Sequence, residues 1–248
     1  VSAKEKMKKE FPAQLRDDMI EGIPVMRKRF PDYSTYARST MEALFTTQQR
    51  KGSFRLQANH MSSSLIRNDG QGKFSLHALP SEAQFSMLNG MVLEDFNGDG
   101  NLDLLLNGND FGTEVPFGRY DALNGLVLLG LGDGNFKTLS IAESGIYIPG
   151  NGKSVSMLRN QAGSLMVAAT ENRGPLRIFE ARMKLRTYVA EPEDASVVIF
   201  MKNGKTQRRE FNYGNSFLSQ STRVIVIPES ADRIEIRKFS GKTRTIRY

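Results

Sequence analysis

The chain has no cysteine and no tryptophan, and only two histidines in 248 residues. Without cysteine there are no disulfides, no thiolate metal sites and no thiol nucleophile, and the redox compartment is left open. His60 and His77 stand near no Ser or carboxylate motif that would suggest a catalytic triad. No run approaches the ~18 apolar residues that a membrane helix needs. The opening stretch, Lys4-Glu5-Lys6-Met7-Lys8-Lys9-Glu10, lacks an apolar signal core, so no signal peptide is expected within the chain. A chain that opens on Val1 is expected to be a piece of a longer protein.

What is present suits a folded body. Hydrophobic residues make up 39% and charged residues 25%, the balance of a soluble globular protein with a sizeable core in one or two domains. The net charge of +7 is uneven: residues 195–248 hold eleven Lys/Arg against four Asp/Glu, and the remainder is balanced. A basic excess suits nucleic acid or an anionic polymer, or else a solvated strand face protecting exposed edges. No aromatic-interleaved basic motif is visible, so the solvated face is expected and nucleic acid is not the expected partner.

The first fifth reads as helical. Met7, Phe11, Leu15 and Met19 recur every four residues and predict a helix over residues 3–20, ended by Gly22 and Pro24. Pro12 falls inside this stripe, as a start or a kink. A second piece is expected over 25–30. A third covers 34–50, with Ala37, Met41, Leu44 and Phe45 inward and capping-box spacing at Ser39-Thr40-Met41-Glu42.

From Gly52 the period changes to alternation. Phe54, Leu56 and Ala58 predict a strand, followed by a hairpin of 64–67 and 73–76 around a Gly-rich tip. Residues 125–139 repeat that pattern, and Phe74 and Phe136 lie 62 residues apart. A weaker copy of the hairpin at 91–106, with no carboxylates in its turn, covers 155–169. Recurring hairpins read as successive propeller blades of four strands each. Strands at 176–179 and 185–189 precede a linker, Glu191-Pro192-Glu193-Asp194. Short alternating strands over 197–200, 207–211, 223–227, 233–237 and 243–248 then form a small antiparallel module, with Asn203-Gly204 as a hairpin turn.

The stretch Asp95-Phe96-Asn97-Gly98-Asp99-Gly100-Asn101-Leu102-Asp103 carries the chemistry. Alternate oxygen-bearing residues of a tight loop can point inward to a hard cation such as Ca²⁺. The set is the side chains of Asp95, Asn97, Asp99 and Asp103 with the carbonyl of Asn101, and Gly100 permits the turn. The bidentate Glu of an EF-hand is absent, since its place is Leu106. The alternative is a polar Asn/Gly/Asp turn without metal. Residues 107–124 read as an inserted loop offering Asp110, Glu114, Arg119, Tyr120, Asp121 and Asn124 to a polar ligand; equally, Tyr120 and Asp121 brace the loop.

The loop at 95–103, its apolar flanks and the later Leu131-Gly132-Asp133-Gly134-Asn135-Phe136 resemble the FG-GAP or VCBS repeat. The loop departs from that pattern at Asn97, where Asp is common. The stretch Phe211-Asn212-Tyr213-Gly214-Asn215-Ser216-Phe217-Leu218-Ser219-Gln220-Ser221, with Ser240-Gly241-Lys242 after it, is similar to the ASPIC/UnbV domain. Lys238-Phe239 stands there for the usual Trp-Pro, and Pro228-Glu229-Ser230 for Gly-Leu-Gly. The resemblance covers residues 60–248. Added to the N-terminal helical segment (1–51) that the periodicity predicts, it implies a mainly β chain with propeller-type blades forming a partial propeller (52–192) and a small antiparallel β domain (193–248). It further implies Ca²⁺ at the loop, the parent chain's remaining blades or partner copies as partners, and an extracytoplasmic location in a bacterial surface or secreted protein. The expected function is a non-catalytic calcium-binding scaffold module for a glycan or protein. The alternatives are a glycan-active enzyme fragment using Asp110, Glu114 and Asp121, or a basic module for nucleic acid or an anionic polymer.

Overall fold

The computed structural model describes residues 9–115, 118–214 and 218–248. The start of the expected first helix, Pro116 and Phe117 of the insertion, and Asn215, Ser216 and Phe217 of the ASPIC/UnbV-like stretch lie outside the described residues. Two units separate, Val1–His60 and Met61–Tyr248.

The first unit is built from short helices: α1 (Arg16–Gly22), α2 (Met26–Arg29), α3 (Tyr33–Ala37), α4 (Met41–Leu44) and α5 (Thr47–Arg50). Ile20, Met26, Phe30, Tyr36 and Leu44 form its core. The expected helix over 3–20 is corrected within its described residues, 9–20: only Arg16 onward is helical. The residue before Pro12 is pushed out of the helical region, and the Glu10 carbonyl accepts the Met41 amide at 2.9 Å rather than continuing a helix. Phe11 and Leu15 therefore stay exposed. The expected helix over 34–50 is cut into three by new starts. Thr40 accepts the Ala43 amide, one residue after the expected cap, and Thr46 with Gln49 forms the capping box found here. Ala37 is exposed and Tyr36 packs inward in its place. The strand expected at Phe54-Leu56-Ala58 is absent; these residues are irregular and exposed, because alternation without a partner strand makes no sheet.

The second unit is mainly β, in several small antiparallel sheets. β1 (Ser64–Gly70) and β2 (Lys73–Ala78) form a hairpin. β3 (Leu88–Glu94), β4 (Asp103–Gly108), β5 (Leu126–Gly130) and β6 (Phe136–Leu139) form a four-stranded meander in chain order. After the short helix α6 (Ile141–Ser144) come β7 (Gly152–Arg159), β8 (Leu165–Glu171) and β9 (Arg177–Glu180), a three-stranded meander. β10 (Thr187–Val189) pairs with β13 (Val224–Val226). The last sheet runs β12-β11-β14-β15, from β11 (Asp194–Met201), β12 (Thr206–Glu210), β14 (Ala231–Lys238) and β15 (Thr243–Arg247).

Alternation explains the layering. Val92, Leu105 and Val127 point from one face of the four-stranded sheet into a core shared with Val155, Met157 and Val167 of the next sheet. Leu104, Leu106, Leu126 and Leu128 point the other way, against Leu79, Ala83 and Leu88. β3 and β7 run so close that a Cβ at Gly90 would lie 2.7 Å from the Val155 amide nitrogen. Three asparagines tie the same two sheets together. Asn89 donates to the Gly152 carbonyl at 2.8 Å, Asn107 to Ser154 at 3.0 Å and Asn109 to Gly150 at 2.7 Å.

The C-terminal sheet has its own core of Val197, Ile199, Ile227, Ile234 and Ile236. β13 is a wall common to two cores: Val224 and Val226 enter the first and Ile225 the C-terminal one. The expected linker at 191–194 is a braced turn whose last residue opens β11. Buried Asp194 accepts hydrogen bonds from the Tyr188 hydroxyl, the Glu191 amide and Arg244. Burial alone would push its pKa up, but these donors outweigh it and hold the carboxyl below the usual range. Burial, and then the bond to Asp194, push Tyr188 up to about 12.

Two outcomes follow from this packing. Gly90→Ala forces β3 from β7 and lowers stability by about 1–3 kcal/mol in denaturant melts, while Gly22→Ala, whose Cβ meets open space, does not. Asp194 has a depressed folded pKa, so its contribution is complete above the unfolded value of about 3.9 and is lost as pH falls through the folded value. Asp194→Asn is therefore expected to lower the melting temperature at pH 7 and to flatten its decline below pH 4.

Candidate metal centre

The loop at 95–103 joins β3 to β4 at the tip of their hairpin, as its sequence suggested. Gly98 and Gly100 adopt φ of 78° and 90°, which lets the loop fold back on its first residue. Asp95 Oδ1 accepts the amides of Gly98 at 2.7 Å and Asp99 at 3.1 Å, and Oδ2 accepts that of Gly100 at 2.8 Å. Asp103 spans further: Oδ2 accepts the Phe96 amide and Oδ1 the Gly130 amide, both at 2.9 Å. Asp99 accepts the Asn101 amide at 2.7 Å and the Asn97 side-chain amide at 3.0 Å. Asn101 lies against Gly132, where a Cβ would stand 2.5 Å from its Oδ1.

Asp95 and Asp103 are buried, and their partners are neutral amides. Among the described residues no Lys, Arg or His pairs with Asp95, Asp99 or Asp103. Burial pushes both buried carboxyls up, Asp103 to about 6, despite the hydrogen bonds to Gly130 and Phe96; neighbouring Asp99 adds to the rise in each. Each carboxylate oxygen retains lone pairs beyond the amides it accepts. The donors are all hard oxygens, three of them carboxylates, which is the chemistry Ca²⁺ takes. They are arranged here as an amide-stapled turn; among the described residues no three His, Asp or Glu side chains converge as a ready-made cation cage.

The neighbouring ion pair has no signature in the sequence. Glu94, fully buried beside Asp95, receives Arg209 of β12 at 2.9 and 3.2 Å, and the same guanidinium donates to the Leu93 carbonyl at 3.1 Å. The pair lines a cleft of about 330 Å³ that also draws on Met91, Met157, Phe211 and Arg223. These residues come from segments far apart in the chain, so no local motif announces the cleft. Arg223 is occupied there: it donates to the carbonyls of Glu191 and Pro192 and lies over the Tyr213 ring at 4.3 Å.

The insertion is shorter than its sequence suggests, because Asn107 and Gly108 belong to β4 and Asn109 is buried. Asp110 and Tyr120 are brought together by reciprocal backbone hydrogen bonds of 2.9 Å, and Asp110 Oδ1 accepts the Gly112 amide. Arg119 lies over the Phe111 ring at 5.0 Å. The side chains of Glu114, Arg119, Tyr120 and Asp121 are exposed. On the C-terminal sheet the basic excess is partly paired: Arg208 meets Glu210 at 2.7 Å, and Arg233 meets Glu235 at 3.2 Å while lying over Phe200. Among the described residues no helix is long and apolar enough to cross a membrane. No family model matches this chain, and no curated protein matches it.

Removing one partner of a buried ion pair leaves an uncompensated charge. Arg209→Ala is expected to cost about 3–5 kcal/mol, and a double-mutant cycle with Glu94→Gln to give a large coupling energy; additive effects in equilibrium unfolding would contradict this.

Proposed function

We propose that residues 61–248 form a non-catalytic, calcium-stabilised binding or scaffold module of FG-GAP/VCBS type with an ASPIC/UnbV-like C-terminal part. It works outside the cytoplasm and engages a glycan or a protein. The observation that carries the reading is the pair of buried carboxylates, Asp95 and Asp103, that lack a cationic partner among the described residues. Burying anionic groups without compensation is costly, and a divalent ion held by Asp95, Asn97, Asp99, Asp103 and the Asn101 carbonyl would remove that cost. Bound there, the ion supplies charge balance and ties strand ends together. The blade reading is supported by the consecutive meanders β3-β4-β5-β6 and β7-β8-β9, packed face to face as propeller blades pack. The exposed side chains of Glu114, Arg119, Tyr120 and Asp121 are the candidate ligand contacts, with Asp110 holding their loop.

The test is thermal melting with and without Ca²⁺. Binding to the folded state alone adds about 2.7 kcal/mol when the ion exceeds Kd a hundredfold. The melting temperature should rise with calcium and fall with chelator, and Asp99→Ala should remove the dependence. Identical melts in calcium and chelator would sink the proposal.

A further inference from the structure

The C-terminal sheet sorts its arginines by strand alternation. Arg209 and Arg244 lie opposite the core residues Val197 and Ile236 and turn into the fold, where they bond Glu94 and Asp194. On the outer side the cross-strand register assembles four others. Phe200 of β11 stands opposite Arg233 of β14, which stands opposite Arg247 of β15. Val198 stands between Arg208 of β12 and Glu235 of β14, and Ser196 between Glu210 and Arg237. Residues opposite one another in an antiparallel ladder share a face, and so do residues two apart along a strand. One face therefore carries Arg208, Arg233, Arg237 and Arg247 against Glu210 and Glu235. The arginines come from three strands, so no local motif announces them.

Among the described residues no core draws on this face. Val198 and Phe200 are half-buried and belong to none of the apolar clusters. Arg208, Arg237 and Arg247 are exposed, as are Thr243 and Thr245 beside them on β15. Arg208 meets Glu210 at 2.7 Å, and Arg233 meets Glu235 at 3.2 Å and Asp232 at 3.4 Å. Arg237 and Arg247 form no ion pair among the described residues. With strands about 4.8 Å apart, β12 and β15 lie about 14 Å apart across the sheet, and Arg233 and Arg237 about 13 Å apart along β14. The positive charges are thus spread widely and interleaved with two negative ones.

That spacing selects the partner. Duplex DNA carries a charge about every 1.7 Å of its axis, and the two glutamates within the patch oppose so dense a polyanion. A single strand needs open aromatic faces for its bases, and the ring within the patch, Phe200, is covered by the Arg233 guanidinium at 3.9 Å. Half-buried Val198 and Phe200 offer a bilayer no protruding anchor. A polysaccharide with an acidic group on every sugar or every second sugar fits better. Its spaced anions meet guanidiniums, whose planar forks suit carboxylates and tetrahedral oxyanions. Its hydroxyls meet the glutamates and the exposed threonines.

We infer that the outer face of β12-β11-β14-β15 binds an acidic polysaccharide, with Arg208, Arg233, Arg237 and Arg247 taking its carboxylate or sulfate groups. The inference rests on the reading of the module as a glycan binder, names the class of glycan and gives it a surface other than the insertion loop. The cation plays no part in it.

The experiment is titration calorimetry of the full chain in chelator at about 0.15 M salt, so that calcium bridges nothing and a failure of the cation reading appears only in melting. The probes are chondroitin sulfate, unsulfated chondroitin, neutral dextran, a thymidine oligonucleotide and phosphatidylserine vesicles. The expected result is saturable binding of chondroitin sulfate and no binding of dextran; binding of unsulfated chondroitin as well assigns the carboxylate, and its absence the sulfate. Arg237→Ser with Arg247→Ser weakens binding about tenfold or more at an unchanged melting temperature, since both side chains are exposed and unpaired. Lys73→Ser with Lys137→Ser removes the same charge from β2 and β6 and leaves binding intact. No saturable binding of either chondroitin, equal losses in the two double variants, or tighter binding of the oligonucleotide or the vesicles overturns the inference. Tyr120→Ala separates its failure from that of the wider reading: binding lost there and kept in the arginine variant puts the glycan on the insertion loop, which overturns this inference and leaves the glycan-binding reading standing.

Discussion

Asp103 is the constraint on which the centre of the β unit depends. Its carboxylate takes an amide from Phe96, at the start of the loop, and another from Gly130, at the end of β5. One side chain therefore fixes the loop exit, the start of β4 and the end of a strand reached only after the insertion. The approach is tight enough to dictate neighbours. A Cβ at Gly130 would stand 2.2 Å from the Leu102 carbonyl oxygen, so only glycine fits. This arrangement puts an anion in the interior, and amide hydrogen bonds offset only part of its desolvation. That imbalance is the physical basis on which a divalent ion is proposed at the loop.

From that junction the packing spreads by alternation. β4 and β5 present apolar residues to both faces, so each face needs cover. One is covered by β7 and β8, and the other by the segment around Ala83. β13 applies the same rule at a larger scale, its valines entering one core and Ile225 the next. The arginines do comparable work with backbone carbonyls and rings. Arg209 closes the end of β3, and Arg223 gathers the turn at 191–194 with Phe211 and Tyr213. Several of the basic residues that give the C-terminal part its charge are thus engaged within the fold.

The hairpins were legible because each carries two independent signals, a short apolar run and a glycine-bearing turn. Strands at 64–70, 103–108, 126–130 and 165–171 fall where those signals coincide. The helices were legible in kind but not in extent. A four-residue stripe says that a helix is compatible, whereas Thr40 and Thr46 restart the chain by capping, and Glu10 spends its carbonyl elsewhere. Phe54-Leu56-Ala58 had the alternation of a strand and no strand to pair with. At the candidate site the local part, loop position and oxygen set, was visible in sequence. Glu94 with Arg209 was not, because the partners lie 115 residues apart. Asn107 and Asn109 looked like loop polarity for the same reason: the carbonyls they bind, at Ser154 and Gly150, are more than 40 residues away.

The central claim is that the loop at 95–103 holds one calcium ion through its buried carboxylates. Isothermal titration calorimetry of calcium into the chelator-treated full chain measures this most directly. The account predicts a saturable heat with one ion per chain, lost in Asp103→Asn. The absence of a saturable heat at millimolar calcium, or an unaltered isotherm in the variant, would contradict it.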